Sequence, residues 1–454
     1  MDPLLSMSQV GFIQELVQSI AARGRRMLDF GARDPLPRSS IAALCEGLLS
    51  TVGEASGVAV GERILDEYGE LDAEERLAFF RLLRAQFGID AEKVVTAAEA
   101  YRGEPTAAHM RRLQEAVEPR RQELLRRLNL SPHGTLRLVR MREQLLELLP
   151  DHPDLREVDF DFLHLFQSWF NRGFLELRRI DWHSPAVVLE KFIKYEAVHQ
   201  ISDWDELRRR IDPDDRRLYA FFHPRLEDEP LIFVEVALTA EPPAAIRAIL
   251  ASDREQIAPE AARTAVFYSI SNCQVGLRGV SFGNFLIKQV VEDLRRELPG
   301  LKTFVTLSPV PGFSRWLAGA PAEPELPKDV AAAAEIAANA SADQPAEGRR
   351  EALLLGAAAY YLTRAKTQAG APLDPVARFH LGNGARLERI NFNADLSPAG
   401  LGNAHGIMVN YAYRPGEIER NHEMFANSGT IPISSAVARH LKRVGVDGSM
   451  VSVA

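Results

Sequence analysis

Cysteine is nearly absent from this sequence: its 454 residues include two, Cys45 and Cys273. They lie far apart among apolar neighbours, so no structural disulfide is expected and a reducing, cytoplasmic setting is. No CxxC, HxxxH or HExxH spacing occurs, which removes the common metal-binding patterns. No apolar run reaches the length of a membrane-spanning helix. The first residues lack the basic-then-apolar order of a secretion signal, and the last six, Ser449 to Ala454, are not a peroxisomal address. Excess positive charge is missing too. A net charge of −8 argues against a nucleic-acid partner, and Arg208–Arg210 and Arg23–Arg26 read as solvated helix faces.

What is present divides into two parts. Through about residue 175 the apolar residues recur at helical steps, in runs such as Val10 to Met27, Glu74 to Phe87, Arg120 to Leu128 and Leu136 to Leu149. Asp72, Gly88, Pro105, Thr106 and the Ser131–Gly134 turn punctuate them. The expectation is a helical bundle over residues 1–175. Residues 156 to 200 also read as helical, with Phe160, Phe162, Leu165, Phe166, Trp169 and Phe170 as a packing stripe.

Beyond that the period changes. Arg217 to His223, Leu231 to Thr239, Thr264 to Ser271, Thr303 to Leu307, Ala385 to Asn393 and Ile407 to Tyr413 read as strands. Helices are expected at Ala245 to Ala251, Asn284 to Leu298, Glu351 to Thr363, from Pro375 and over Ser435 to Val444. This mixture predicts an α/β domain over residues 176–454. An Ala-rich stretch at about 320–350 reads as an exposed helical insertion or a flexible loop without chemistry.

Three segments carry candidate chemistry. Gln274 to Asn284 places Gly276, Gly279 and Gly283 between a strand and an amphipathic helix. Such glycines let backbone N–H groups approach phosphate, although the same residues also make an ordinary tight turn. The loop is neither a Walker A sequence nor a strict GxGxxG, but its spacing resembles the pyrophosphate loop of the GNAT acetyltransferase superfamily. Ser308 sits at a strand end before Pro309 and Pro311, where it either caps a turn or faces an active site. His380, between Phe379 and Leu381 and before Gly382-Asn383-Gly384, is either a satisfied core histidine or a proton carrier.

Several blocks together resemble the malonyl-CoA decarboxylase family, in that family's order over roughly residues 195–440. They include Phe221 to Pro224, Val236 to Thr239, Ala265 to Ser271, Gly283 to Lys288, Leu307 to Phe313, Asp374 to Ala377, Phe379 to Gly384 and Asn410 to Tyr413. The resemblance implies an N-terminal helical domain used for oligomerisation, making a dimer or tetramer. It implies a GNAT acetyltransferase-like catalytic domain that converts malonyl-CoA to acetyl-CoA and carbon dioxide without a cofactor. It assigns Ser308 as proton acceptor and His380 as proton donor. The CoA loop falls on Arg278, Gly279, Val280, Ser281, Phe282, Gly283 and Asn284. Some relatives have glutamate where this chain has Ser281, so help from that carboxylate is not expected.

The residue types suit this reaction. Loss of carbon dioxide leaves a thioester enolate that must be stabilised and then protonated, and the thioester is itself the electron sink. Histidine can deliver a proton near neutral pH, whereas serine is a base only beside a partner. Ser308 could equally orient the malonyl carboxylate as a hydrogen-bond donor. Asn383, Tyr411 and Tyr413 are expected either to line the pocket or to pack. An acyl-CoA-dependent acyltransferase and a non-catalytic CoA-binding protein are the alternatives.

Overall fold

The computed structural model describes residues 40–50, 53–280, 286–320, 326–338, 347–446 and 451–453. The expected helix at Val10 to Met27, and Ser281, Phe282, Gly283 and Asn284 of the glycine-rich segment, lie outside the described residues. The chain forms two compact units. One comprises Met1–Leu175, His223–Glu227 and Gln274–Ser281; the other comprises Glu176–Phe222, Asp228–Cys273 and Phe282–Ala454.

The first unit is helical: α1 (Ile41–Ser50), α2 (Glu54–Glu70), α3 (Ala73–Gln86), α4 (Ala91–Gly103), α5 (Ala107–Val117), α6 (Arg120–Asn129), α7 (Gly134–Leu148) and α8 (Arg156–Trp169). Local sequence sets the starts. Asp72 and Glu75 make a reciprocal capping box at α3, and the side chains of Asp90 and Thr106 cap α4 and α5. Phe79, Phe80, Leu83, Leu124, Leu125, Leu128, Phe162 and Phe166 fill the core. A buried ion pair crosses it: Arg121 Nε donates to Asp161, whose other oxygen accepts from Gln122 Nε2 at 2.6 Å.

The glycine-rich loop is fixed within this unit. Arg142 Nη1 donates to the carbonyls of Gly276 and Arg278, each at 2.8 Å, while its Nε pairs with Asp159 at 2.8 Å. Gly276 has no substitute, because a Cβ there would stand 1.9 Å from the Val139 carbonyl oxygen. Gly279 takes φ +83°, the left-handed region that glycine enters without strain.

The second unit begins with β1 (Glu176–Ile180), α9 (Ala186–Tyr195), α10 (Trp204–Ile211), β2 (Arg216–Phe222), β3 (Pro230–Thr239), α11 (Arg247–Leu250) and β4 (Thr264–Asn272). It continues with α12 (Leu286–Glu297), β5 (Thr303–Thr306), β6 (Ser308–Pro309), α13 (Phe313–Gly319), α14 (Lys328–Ala338), α15 (Glu347–Arg364) and α16 (Pro375–Gly382). Last come β7 (Arg386–Asn391), α17 (Pro398–Ala404), β8 (Met408–Ala412), α18 (Ile418–Ser428), β9 (Ile431–Ile433), α19 (Ser435–Arg443) and β10 (Val451–Val453).

Among the described residues these strands form one mixed sheet in the order β1-β2-β3-β4-β5-β8-β7-β9-β10, with β6 also paired to β8. A helical N-terminal part followed by a mixed α/β domain is what the sequence predicts, and this is the architecture found.

The feature that positions the site is a parting of parallel strands. β4 and β5 pair from Thr264↔Thr303 to Phe267↔Thr306 and then separate. β4 runs on to Asn272 against β3, while the other strand turns away so that Ser308 pairs with Val409 of β8. An irregularity in the β3–β4 register leaves Tyr268 as an extra residue on β4 at this point, and a bulge of that kind bends its strand.

Two elements differ from expectation. Residues 176–180, read as helical, form edge strand β1; its charged sequence suits an exposed edge, and Arg178 lies 4.6 Å over the Phe222 ring. The described part of the Ala-rich stretch, α14, is a helix but not wholly exposed. Val330, Ala333 and Ala334 are buried, because small side chains allow close helix packing.

Candidate active site

Strand alternation puts Thr306, Ser308, Val409, Tyr411 and Tyr413 on one face of the sheet. The opposite face carries Val305, Leu307, Met408 and Ala412 into a core with Ile246 and Ile249. α16 brings His380 to the first face. Its start is set by Asp374, whose Oδ1 accepts from the Ala377 N–H at 2.8 Å, and by Pro375 in the first turn.

A chain of hydrogen bonds results. Ser308 Oγ is 3.0 Å from His380 Nε2, and His380 Nδ1 is 2.8 Å from Tyr413 Oη. Ser308 Oγ donates to Thr306 Oγ1 at 2.8 Å, and that oxygen also accepts the Tyr411 N–H at 3.1 Å. Every group is satisfied when Tyr413 donates to Nδ1 and Nε2–H donates to Ser308. Protons therefore point from Tyr413 towards the serine. The ring of Tyr411 stacks on the imidazole, 4.6 Å between centroids and inclined 26°.

Ser308 and His380 open on a cleft of about 250 Å³ where β4 parts from β6. Its other walls are Val198, Phe267, Ile270, Pro375, Val376 and Phe379, with Tyr268, Pro309 and Asn272. None of these side chains carries a formal charge. Burial pushes the His380 imidazole down to about 3, so it rests neutral at pH 7. Burial pushes Asp374 the other way, up to about 6, against the N–H groups of Ala377 and Val376 that favour its charged form.

The structure thus brings Ser308 and His380 together at the cleft and sets Tyr411 and Tyr413 against His380, although neither tyrosine lines the cleft. Asn383 is placed elsewhere: its Nδ2 donates to the Phe379 carbonyl at 2.7 Å and it ends α16 without lining the cleft. Arg278 and Gly279 are exposed in the first unit, and Val280 is buried there. Sequence reading missed Thr306, although its place two residues before Ser308 on a strand puts both on one face. It also missed the apolar walls, although Asp374-Pro375 does announce the helix carrying His380. Among the described residues no group of histidine, cysteine and carboxylate side chains could hold a metal ion.

Burial of His380 has a pH signature. The unfolded chain protonates this histidine below its ordinary 6.5, whereas the fold holds it neutral to about 3. Stability from this group is therefore whole above 6.5 and is lost as pH falls towards 3. His199, lowered to about 4 by burial, acts in the same sense. Asp374, and Glu235 at about 8, act oppositely because the fold binds their protons more tightly. Comparing the parent with His380→Asn isolates one term: the variant's melting temperature should fall less between about pH 7 and pH 5. Parallel pH curves would contradict the buried neutral imidazole.

A neutral, buried Ser–His–Tyr chain thus opens on an apolar cleft where parallel strands of a mixed α/β domain part, an arrangement with the chemistry to move a proton. Comparison with known proteins makes this specific. The family model "Malonyl-CoA decarboxylase C-terminal domain" matches residues 173–450, and "Malonyl-CoA decarboxylase N-terminal domain" matches residues 87–170. The chain belongs to the malonyl-CoA decarboxylase family and is thereby a carboxy-lyase.

Curated relatives named "Malonyl-CoA decarboxylase, mitochondrial" agree. The protein of Anser anser anser is 36% identical over 356 residues, covering 72% of this chain and 70% of its own. That of Rattus norvegicus is 36% identical over 360 residues, covering 72% of each. The solved malonyl-CoA decarboxylase of Rhodopseudomonas palustris is 55% identical, with TM-score 0.84 over 89% of this chain and 100% of its own. That of Cupriavidus metallidurans is 37% identical, with TM-score 0.69 over 88% and 98%. No described helix is long and apolar enough to cross a membrane.

Proposed function

We propose that this chain decarboxylates malonyl-CoA and that Ser308 and His380 deliver the proton which completes acetyl-CoA. The observation carrying this reading is the hydrogen-bonded order Tyr413, His380, Ser308 at the wall of an uncharged cleft. A malonyl carboxylate entering that cleft leaves water for apolar walls. Its localised charge is poorly solvated there, and transfer of the C–C bonding electrons into the thioester relieves this by spreading the charge. Carbon dioxide departs and an enolate remains. Among the described residues β4 past Phe267 has β3 as its only strand partner, so its other edge offers backbone N–H groups to the thioester and pantetheine.

The reaction consumes one proton. A bound carboxylate beside His380 opposes the effect of burial and favours the imidazolium, which takes its proton from solvent. Nε2 then gives a proton to Ser308 Oγ as the Ser308 hydroxyl gives its own to C2. Neutral histidine is restored and acetyl-CoA is released. Serine is thus acceptor from histidine and donor to carbon in one step, which unites the two roles read for it.

The segment Arg278 to Asn284 takes the phosphates of CoA in this reading. Support comes from the left-handed Gly279 and from the tether of Arg142 to the Arg278 carbonyl. The helical unit serves self-association as a dimer or tetramer. In α4 and α5, which pack together, no residue is buried, and Ile89, Val95 and Val117 are exposed. A monomeric mass by light scattering would refute that assignment. A cytoplasmic setting is supported by two buried, free cysteines.

Incubation with malonyl-CoA should give carbon dioxide and acetyl-CoA in equal amounts, with no acyl transfer to an added amine. Folded protein that binds CoA yet forms neither product would sink the reading. Tyr413→Phe tests the order of the chain. It removes a hydrogen bond worth about 1 kcal/mol, so kcat should fall roughly five- to tenfold, KM should hold, and the pH profile of kcat should move. A lower melting temperature with an unchanged profile would make Tyr413 a packing residue.

A further inference from the structure

A second cavity lies in the sheet-bearing unit, between the end of α10, the start of β2 and the end of α11, and the proposed reaction does not use it. Its volume is about 60 Å³, room for a few waters or one small ion but not for a nucleotide. Four arginines line it, Arg209, Arg210, Arg216 and Arg254, against a single carboxylate, Glu206.

The carboxylates behind the lining do not balance this charge. Asp215 takes Arg254 through both oxygens, at 2.5 and 2.8 Å, and lies 3.5 Å from Arg216. Glu206 pairs with Arg210 at 2.7 Å, and Glu235 with the same guanidinium at 3.2 Å. Counting all three acids as ionised leaves one positive charge over. Glu235 is fully buried beside Glu196 and binds its proton up to about pH 8, which leaves a second.

Individual donors are left over as well. Arg210 is 3% exposed, yet its Nε has no partner among the described residues. Arg216, also 3% exposed, spends Nη2 on the neutral Ile249 carbonyl at 2.7 Å. Arg209 is exposed and forms no ion pair among the described residues. Two of these arginines stand in the last turn of α10, where cations also favour the helix dipole. That preference explains charge at the helix end. It does not explain a buried, unpartnered Nε, or arginines converging from two other chain segments.

We propose that this cavity binds a free, small tetrahedral oxyanion of the inorganic phosphate class, held by Arg209, Arg210 and Arg216. Guanidinium N–H groups suit such an anion because they donate in a planar fork.

The test uses the purified full chain, titrated with sodium phosphate against sodium chloride at equal ionic strength. Phosphate should raise the melting temperature saturably where chloride does not, and calorimetry should give a matching dissociation constant. Because Arg209 is exposed and unpaired, Arg209→Gln should fold normally. It should bind phosphate about tenfold more weakly, with Arg209→Lys intermediate and KM for malonyl-CoA unchanged in both. Phosphate taken instead by a CoA-binding segment would stabilise parent and Arg209→Gln alike. That result, or equal effects of phosphate and chloride, would overturn the proposal.

Discussion

His380→Asn should lower kcat for malonyl-CoA by about 10²–10⁴-fold while KM changes by no more than about threefold. The range is that of a positioned general acid. The asparagine amide can still fill much of the imidazole's place between Ser308 and Tyr413, so the cleft should keep its walls and the substrate its binding. What disappears is a group able to gain a proton from solvent and pass it inward. Decarboxylation can still begin, since the thioester accepts the electrons, but the enolate then waits for adventitious water. Product analysis sharpens the measurement: carbon dioxide and acetyl-CoA should fall together. A kcat within about threefold of the parent would remove His380 from the chemistry and leave the apolar cleft as the principal catalyst.

Asp161→Ala should cost about 3–5 kcal/mol of stability, the largest loss expected of any change away from the site. Asp161 is 1% exposed and accepts from both Arg121 and Gln122, themselves 3% and 6% exposed. Removing the carboxylate leaves a guanidinium and an amide in the helical core without their acceptor. The guanidinium already has one nitrogen, Nη1, without a partner among the described residues, so little local compensation is at hand. Urea unfolding followed by the helical signal measures this directly. A loss below about 1 kcal/mol would mean that water reaches Arg121 in the variant, contrary to the packing seen.

Much of the architecture could be read in the sequence because helical period and capping are local. Asp72 with Glu75, Thr106, and Asp374 with Pro375 each announce a helix from neighbouring residues alone. Strands near the sheet's centre were legible from their β-branched and aromatic runs. β1 was not, because an edge strand may carry arginines and glutamate freely and so lacks the apolar alternation of an inner one. The candidate site was legible in part. Ser308 and His380 stood out through ordered family blocks, yet neither local setting separates a catalytic residue from a turn or core residue.

The residues that complete the hydrogen-bond chain depend on register between distant strands, which local sequence does not encode. Thr306 stands two residues before Ser308 on the same face, but it accepts the Tyr411 N–H only because β6 pairs with β8 as it does. Asn383 looked equally eligible for the pocket, and its place at the helix end is decided by α16.

The strand order carries one more consequence, in time rather than in space. β8 lies between β5 and β7, and Asn410 follows Thr306 by 104 residues. On synthesis or refolding, β5 and β6 must therefore wait with an open edge until that long loop closes. Non-local closure of this kind is slow, and an unpaired edge invites strands from other chains. Recovered helicity should precede recovered decarboxylase activity, and aggregation should be worst in the interval between them.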